Sequence, residues 1–180
     1  NMSKIAVLCN DGVEEIECLT VVDFCRRAGI EVITVSVTGK RQIMGAHQIV
    51  FHADEVYADM NFDEFDGIVY PGGPGTGAMG EKPGVKELAQ KFLNNGKMLA
   101  AICAAPGMIS ETGILKEKHA TGYPGCKPEG GAIWSEDAAV VDGNLVTGKG
   151  PGAAAEFAIE IIRYLAGDIK AEQIRTSTMM

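Results

Sequence analysis

Lys97-Met98-Leu99-Ala100-Ala101-Ile102-Cys103-Ala104-Ala105-Pro106-Gly107 is the stretch from which the fold follows. After Lys97 it carries no charge, and a short apolar run of this kind reads as a buried strand of a parallel sheet. The run stops at a cysteine flanked by small residues, where a helical pattern begins, and this is the layout of a nucleophile elbow. Pro106 falls in the first helical turn, where its missing N–H is no loss. A thiol at such a turn faces the unbonded amides of the helix start, whose partial positive charge is expected to favour the thiolate. Free cysteine titrates near ~8.5, so a modest downward shift suffices to make Cys103 nucleophilic at neutral pH. A cysteine here is equally well a small buried core residue, and the segment alone leaves both readings open.

Outward from this stretch, strand and helix patterns alternate. Ile5 to Cys9 reads as a first buried strand, broken by Asn10-Asp11-Gly12. A helix from Glu14 to Ala28 follows, with Ile16, Leu19, Val22 and Cys25 as the apolar stripe for the sheet. Val21 and Phe24 lie off that stripe and are expected to face a dimer partner. Ile30 to Val37 is a β-branched strand, Gly39 to His52 a hairpin with Gly45 near its turn, and Ala53 to Phe65 an acidic surface segment. Asp66 to Tyr70 is a further strand that runs into Pro71-Gly72-Gly73-Pro74-Gly75. Pro83 opens a helix through Asn95, and the helix after Cys103 is expected to end near Gly113. Leu115 to Glu136 reads as loops with short strands. A hairpin around Asp142-Gly143 and a helix with Ala154, Phe157, Ala158, Ile161, Ile162 and Leu165 on its apolar face complete the pattern, followed by a short helix and a loose tail. The alternation predicts a doubly wound α/β domain over residues 1–180, with a mostly parallel sheet and helices on both faces.

Composition narrows the partners. A net charge of −8 argues against nucleic acid or an anionic membrane as the main partner. Five cysteines without repeated spacing, and no signal peptide or long apolar span, point to a reducing, cytoplasmic setting. The histidines (His47, His52, His119) are scattered and no cysteine pair has zinc spacing, so no metal site is expected. Asn1 ahead of Met2 reads as a cloning remnant.

In a doubly wound sheet, ligands bind outside the carboxyl ends of the parallel strands. Asn10 to Glu17, Pro71 to Gly75, the Cys103 turn and Lys149 to Gly152 are therefore expected in one crevice. Glu14, Glu15 and Glu17 are the acids within reach. A carboxyl beside a thiolate is repelled by it and tends to keep its proton, becoming a donor to sulfur and an acid/base for a carbonyl substrate. Acids at a helix start also simply suit the helix dipole.

Gly12-Val13-Glu14-Glu15-Ile16-Glu17, Tyr70-Pro71-Gly72-Gly73, Ala100-Ala101-Ile102-Cys103-Ala104 and Gly150-Pro151-Gly152, in this order, resemble the motifs of the ThiJ/PfpI superfamily, above all its parkinsonism-associated deglycase-like branch and the bacterial members. The resemblance spans nearly the whole chain. It implies a flavodoxin-like fold, a homodimer built partly on the first helix, and no cofactor. It matches Cys103 to the family's reactive, oxidation-sensitive cysteine and Glu17 to the protonated carboxyl that hydrogen-bonds it. Gly73 and Ala104 match the positions whose amides form an oxyanion pocket. The implied activity is on small α-oxoaldehydes or glycated adducts, with a small carbonyl compound or glycated protein as partner. An oxidative-stress responder or chaperone with Cys103 as a sulfinate is the alternative, followed by an intracellular cysteine peptidase.

One position departs from the pattern. Active family members often carry a histidine before a proline near the cysteine, and here the pair is Tyr123-Pro124, whose phenol, with a pKa near ~10, is no base at neutral pH. His119 lies four residues away as a substitute, although a surface histidine at a strand end is the simpler reading. Cys126 is a candidate resolving thiol for oxidised Cys103, or else an inconsequential loop thiol. Cys9, Cys18 and Cys25 read as packing.

Overall fold

The computed structural model describes residues 2–180; Asn1, read above as a cloning remnant, lies outside the described residues. Its main sheet has seven strands: β1 (Lys4–Cys9), β2 (Glu31–Ser36), β5 (Glu55–Val56), β6 (Gly67–Tyr70), β7 (Met98–Ile102), β10 (Ala139–Asp142) and β11 (Leu145–Gly148). Their order is β10-β11-β7-β6-β1-β2-β5, and only the β10–β11 hairpin is antiparallel. The strands of the parallel core are continuous apolar runs because both faces are covered. Ile5, Val7 and Cys9 of β1 join one apolar layer, and Ala6 and Leu8 the other.

The first layer is completed by α1 (Glu15–Arg27), α5 (Ala154–Ala166) and α6 (Asp168–Ser177), and the second by α2 (Thr76–Glu81), α3 (Val85–Asn94) and α4 (Ala105–Ser110). This is the doubly wound, flavodoxin-like architecture expected from the alternating pattern. Tyr70, fully buried at the end of β6, donates its hydroxyl to Val85 O at 2.6 Å and pins the start of α3 to the sheet. Among the described residues no helix is long and apolar enough to cross a membrane.

Several local expectations change. The buried face of α1 is Glu17, Cys18, Val21, Val22 and Cys25, whereas Ile16 and Leu19 are exposed. The Glu17 carboxyl is carried inward on this face with the positions four and eight further on, so Val21, expected to face a dimer partner, is fully buried instead. The glycine-rich turn after β6 contains the short α2, and Gly84 in the left-handed region delays α3 to Val85. Helix α4 stops at Ser110, short of Gly113. The acidic segment supplies the edge strand β5. The tail is largely the ten-residue α6. Between β7 and β10 the chain forms β8 (His119–Thr121) and β9 (Ile133–Ser135), a separate parallel pair.

The expected hairpin is β3 (Gln42–Met44) with β4 (Val50–His52), a two-stranded sheet of its own. It is fastened to the β1–α1 loop rather than to the main sheet. Gly12 N donates to Met44 O at 2.8 Å, Met44 N to Asp11 Oδ1 at 2.9 Å, and Ala46 N to Val13 O at 2.8 Å.

Candidate active site

Cys103 stands in the left-handed region at φ 67°, between the end of β7 and the start of α4. For a residue with a side chain this costs on the order of 1–2 kcal/mol and persists only where the surroundings impose it. Here two backbone bonds do so: Cys103 N donates to Gly148 O, and Tyr123 N donates to Cys103 O, both at 2.9 Å. The residue is left 7% exposed. It opens into a cavity of about 320 Å³ whose other walls are Glu14, Gly73, Pro74, Ala104, Tyr123 and Pro151. The four segments expected at the carboxyl ends of the strands thus all contribute.

Glu17 is fully buried, and its Oε1 accepts the Gly72 amide at 2.9 Å. Oε2 has no hydrogen-bond partner among the described residues. Burial pushes this carboxyl up to about 7; the Cys103 thiol and the Gly72 amide oppose the rise and the charge of Glu14 adds to it. The protonated carboxyl expected beside sulfur therefore follows from desolvation first.

The expectation of a lowered thiol is not met. Burial pushes Cys103 up to about 12, the neighbouring Glu17 carboxyl pushes in the same direction, and the Ala104 amide pulls the other way. Helix α4 has six residues and lends a short dipole, too little to offset a carboxylate against the sulfur. The carboxyl, not the thiol, is the member of the pair that ionises near neutral pH.

Glycine is required at two neighbouring positions. A Cβ on Gly72 would lie 2.7 Å from Cys103 Cβ and 2.8 Å from Ile102 O. Gly73 has φ 112°, and its Cβ would lie 2.5 Å from Glu14 N and 2.6 Å from Gly12 O. The backbone of the β6 turn is thereby laid directly against both Cys103 and the start of α1. Gly73 and Ala104 both line the Cys103 cavity, and among the described residues neither amide donates to a backbone carbonyl. Two unsatisfied amides at a thiol are what a developing oxyanion needs.

Glu14 and Glu15 both approach His47 Nδ1, at 3.4 and 3.0 Å, but differ in their other contacts. Glu14 caps α1 by accepting Ile16 N at 2.9 Å and forms part of the cavity wall. Glu15 turns to the β3–β4 hairpin, where it accepts the amides of His47 (2.7 Å) and Ile49 (3.3 Å) and faces His47 Nδ1 at 3.0 Å. Burial would raise this carboxyl, but the imidazole and amide bonds outweigh it and hold Glu15 at about 2. The same contact, with the charge of Glu14, raises His47. Glu14, Glu15 and His47 are the group among the described residues whose donor atoms, within 4.8 Å of one another, have the chemistry of metal ligands. The oxygens of Glu15 are already engaged as an ion pair with His47 and its loop. Sequence reasoning treated the histidines as scattered; no local signal marks His47, because its partner lies 32 residues away.

The family model described as DJ-1/PfpI family matches residues 3–164. The chain belongs to the DJ-1/PfpI family. It is 38% identical over 178 residues to protein dj-1beta of Drosophila melanogaster, covering 96% of this chain and 95% of that one. The crystal structure of Drosophila DJ-1beta superposes with a TM-score of 0.94, at 34% identity over all of this chain and 99% of the other. A deglycase of Pyrococcus abyssi is 31% identical over 167 residues (90% and 99% of the two chains). A glutathione-independent glyoxalase of Caenorhabditis elegans is 32% identical over 175 residues (96% and 93%).

In this DJ-1/PfpI chain the auxiliary candidates separate. Tyr123, half exposed, lines the Cys103 cavity. His119 does not: it is exposed at the start of β8, with its amide bound to Asp142 Oδ2 at 2.8 Å, so the surface reading holds. Cys126 is half-buried and lines a neighbouring cavity of about 660 Å³ that shares Gly73, Pro74 and Ala104 with the first. Cys9 and Cys18 are fully buried with their sulfurs 3.5 Å apart, and Cys25 is fully buried as well, consistent with packing roles.

Proposed function

We propose that this chain is a cofactor-independent enzyme acting on small α-oxoaldehydes or their adducts, of glyoxalase or deglycase type, with Cys103 as nucleophile and Glu17 as proton carrier. The observation that carries the reading is the buried Glu17 carboxyl, raised into the neutral range beside the Cys103 turn, together with two amides without a backbone partner in a cavity large enough for a three-carbon substrate. Names of relatives as deglycase and glyoxalase support it.

In this reading the Cys103 sulfur attacks the aldehyde carbon as its proton passes to Glu17. The Gly73 and Ala104 amides hold the oxygen of the hemithioacetal. Glu17 passes the thiol proton to the hemithioacetal oxygen. As a carboxylate, it then removes the proton from the former aldehyde carbon and returns it to the adjacent carbonyl carbon, while the hydroxyl proton moves to the former ketone oxygen. This leaves a thioester of a 2-hydroxy acid. Water then releases the hydroxy acid and restores the thiol. The scheme needs Glu17 in its ionised form to receive the proton of a thiol that burial, above all, holds protonated.

The test is lactate formation from methylglyoxal by the chelator-treated protein, beside Cys103→Ser and Glu17→Gln. Turnover abolished by both substitutions supports the reading. Methylglyoxal lost only stoichiometrically, or no faster than with the serine variant, overturns it.

A second reading is favoured by tyrosine at position 123, which supplies no base at neutral pH: a stress-responsive protein whose Cys103 is oxidised to a sulfinate held by Glu17 and the amides, with chaperone contacts as its output. Peroxide-dependent protection of a client protein without turnover would distinguish it. Release of a fluorogenic peptide would instead revive the peptidase.

The exposed Ile16 and Leu19 on α1 support a homodimer through that helix. Sedimentation of wild type and Ile16→Glu is expected to show a dimer and a monomer; a monomeric wild type would remove the idea.

A further inference from the structure

We propose that Cys126 is a resolving thiol, which traps Cys103 as a reversible intramolecular disulfide after oxidation by a hydroperoxide and so spares it from irreversible oxidation. This does not depend on which substrate Cys103 serves, because it concerns the fate of the sulfur alone.

The geometry places the two cysteines on either side of one short piece of backbone. Cys103 immediately precedes Ala104, and Ala104 is a wall of both the Cys103 cavity and the cavity that Cys126 lines. The loop carrying Cys126 is tied to the nucleophile: Tyr123 N donates to Cys103 O, and Cys126 N donates back to Tyr123 O, each at 2.9 Å. From the other side, the Cys126 carbonyl lies against the first turn of α4, where a Cβ on Gly107 would come within 2.1 Å of Cys126 O. Two backbone bonds and one close packing contact therefore hold Cys126 next to the helix start that Cys103 opens.

The loop can give. Tyr123, Pro124 and Gly125 are exposed, and Gly125, at φ 89°, has nothing within 4 Å of where a Cβ would stand. Closing the bond requires the sulfurs to meet across Ala104 at about 2.05 Å. An exposed loop with glycine at Gly125 absorbs such a turn more readily than a strand or helix would.

The chemistry balances with a hydroperoxide as the oxidant. The Cys103 sulfur takes the terminal oxygen of ROOH, its proton passes through Glu17, and the products are the Cys103 sulfenic acid and ROH. The Cys126 sulfur then attacks the sulfenic sulfur. Water leaves with the Cys126 proton and a Cys103–Cys126 disulfide remains, which two thiols of a cellular reductant return to the starting state. Without Cys126, a second equivalent of hydroperoxide carries the sulfenic acid on to the sulfinate. Cys9 and Cys18 have closer sulfurs, but both side chains are fully buried in the apolar layer under α1 and have no route to an oxidant.

The experiment treats full-length protein with one to a few equivalents of hydrogen peroxide, blocks remaining thiols and maps the cysteines by mass spectrometry, beside Cys126→Ser and Cys126→Ala. The expected result is a Cys103–Cys126 linked peptide from monomeric chains on a non-reducing gel, reversed by dithiothreitol. Both variants should accumulate Cys103 sulfinate at least about tenfold faster than wild type. The wild-type map needs no variant, so a folding defect in either one does not spoil the test. A Cys9–Cys18 link, a link between chains, or sulfinate forming in wild type as fast as in the variants overturns the proposal.

Discussion

Glu17 gives one oxygen to the Gly72 amide at 2.9 Å and none to any other donor, although its side chain is fully buried and interacts with the Cys103 thiol. A carboxyl so placed binds its proton more tightly in the native state than in the unfolded chain. Its favourable contribution is fully present below the unfolded value of 4.5 and is lost as pH rises through about 7, an effect of about 3 kcal/mol. Glu17→Gln carries no such proton. Its unfolding free energy is expected to stay level over that window while wild type declines, so that the variant is the more stable protein above pH 7. Denaturant titrations at several pH values check this, and parallel curves for the two proteins would contradict the assigned proton.

Substitution of either glycine in the β6 turn should be costly. Gly72→Ala places a methyl group against Cys103 Cβ and Ile102 O, and Gly73→Ala adds an unfavourable φ to a collision with the Glu14 and Gly12 backbones. Each is expected to lose about 2–4 kcal/mol of stability. Gly72→Ala should also move Cys103 and slow its alkylation by iodoacetamide. Retention of wild-type stability in either variant would mean that the turn is not packed as described.

Tyr123 stands on the wall of the Cys103 cavity, where a histidine would introduce a base that titrates near neutrality. Tyr123→His is expected to raise methylglyoxal turnover by about tenfold or more, with a new ionisation near pH ~6.5 in the rate profile. An unchanged profile would show that the wall position does not reach the reacting atoms.

His47 and Glu15 join the β3–β4 hairpin to α1 across 3.0 Å. The raised imidazole contributes stability that is fully present below its unfolded value of 6.5 and is lost as pH rises through its higher native value. The lowered carboxyl contributes above 4.5 and loses its contribution as pH falls through about 2. His47→Ala should therefore be most destabilised relative to wild type between those two unfolded values, and the deficit should shrink on the alkaline side. Thermal unfolding across that range checks the sign; a deficit that grows with alkaline pH would contradict the ion pair.

The sequence by itself determined the elements whose reasons are local. Uncharged runs such as Met98 to Ile102 have no polar face to show to water, so they become strands covered on both sides, and alternation with helices then leaves a doubly wound sheet as the natural arrangement. The place of Cys103 at the end of such a strand was legible for the same reason, and the motifs that carry Glu17, Gly73 and Ala104 come together beside it. What only the tertiary structure decided depends on groups brought together from afar. The rotation of α1, with Ile16 outward and Glu17 inward, is set by the site beneath it and not by the stripe of apolar residues. The pairing of His47 with Glu15 needs the hairpin to fold back over the helix start. The thiol's rise to about 12 depends on the desolvation and carboxyl charge that packing creates, and no spacing along the chain encodes the dielectric in which a sulfur will sit.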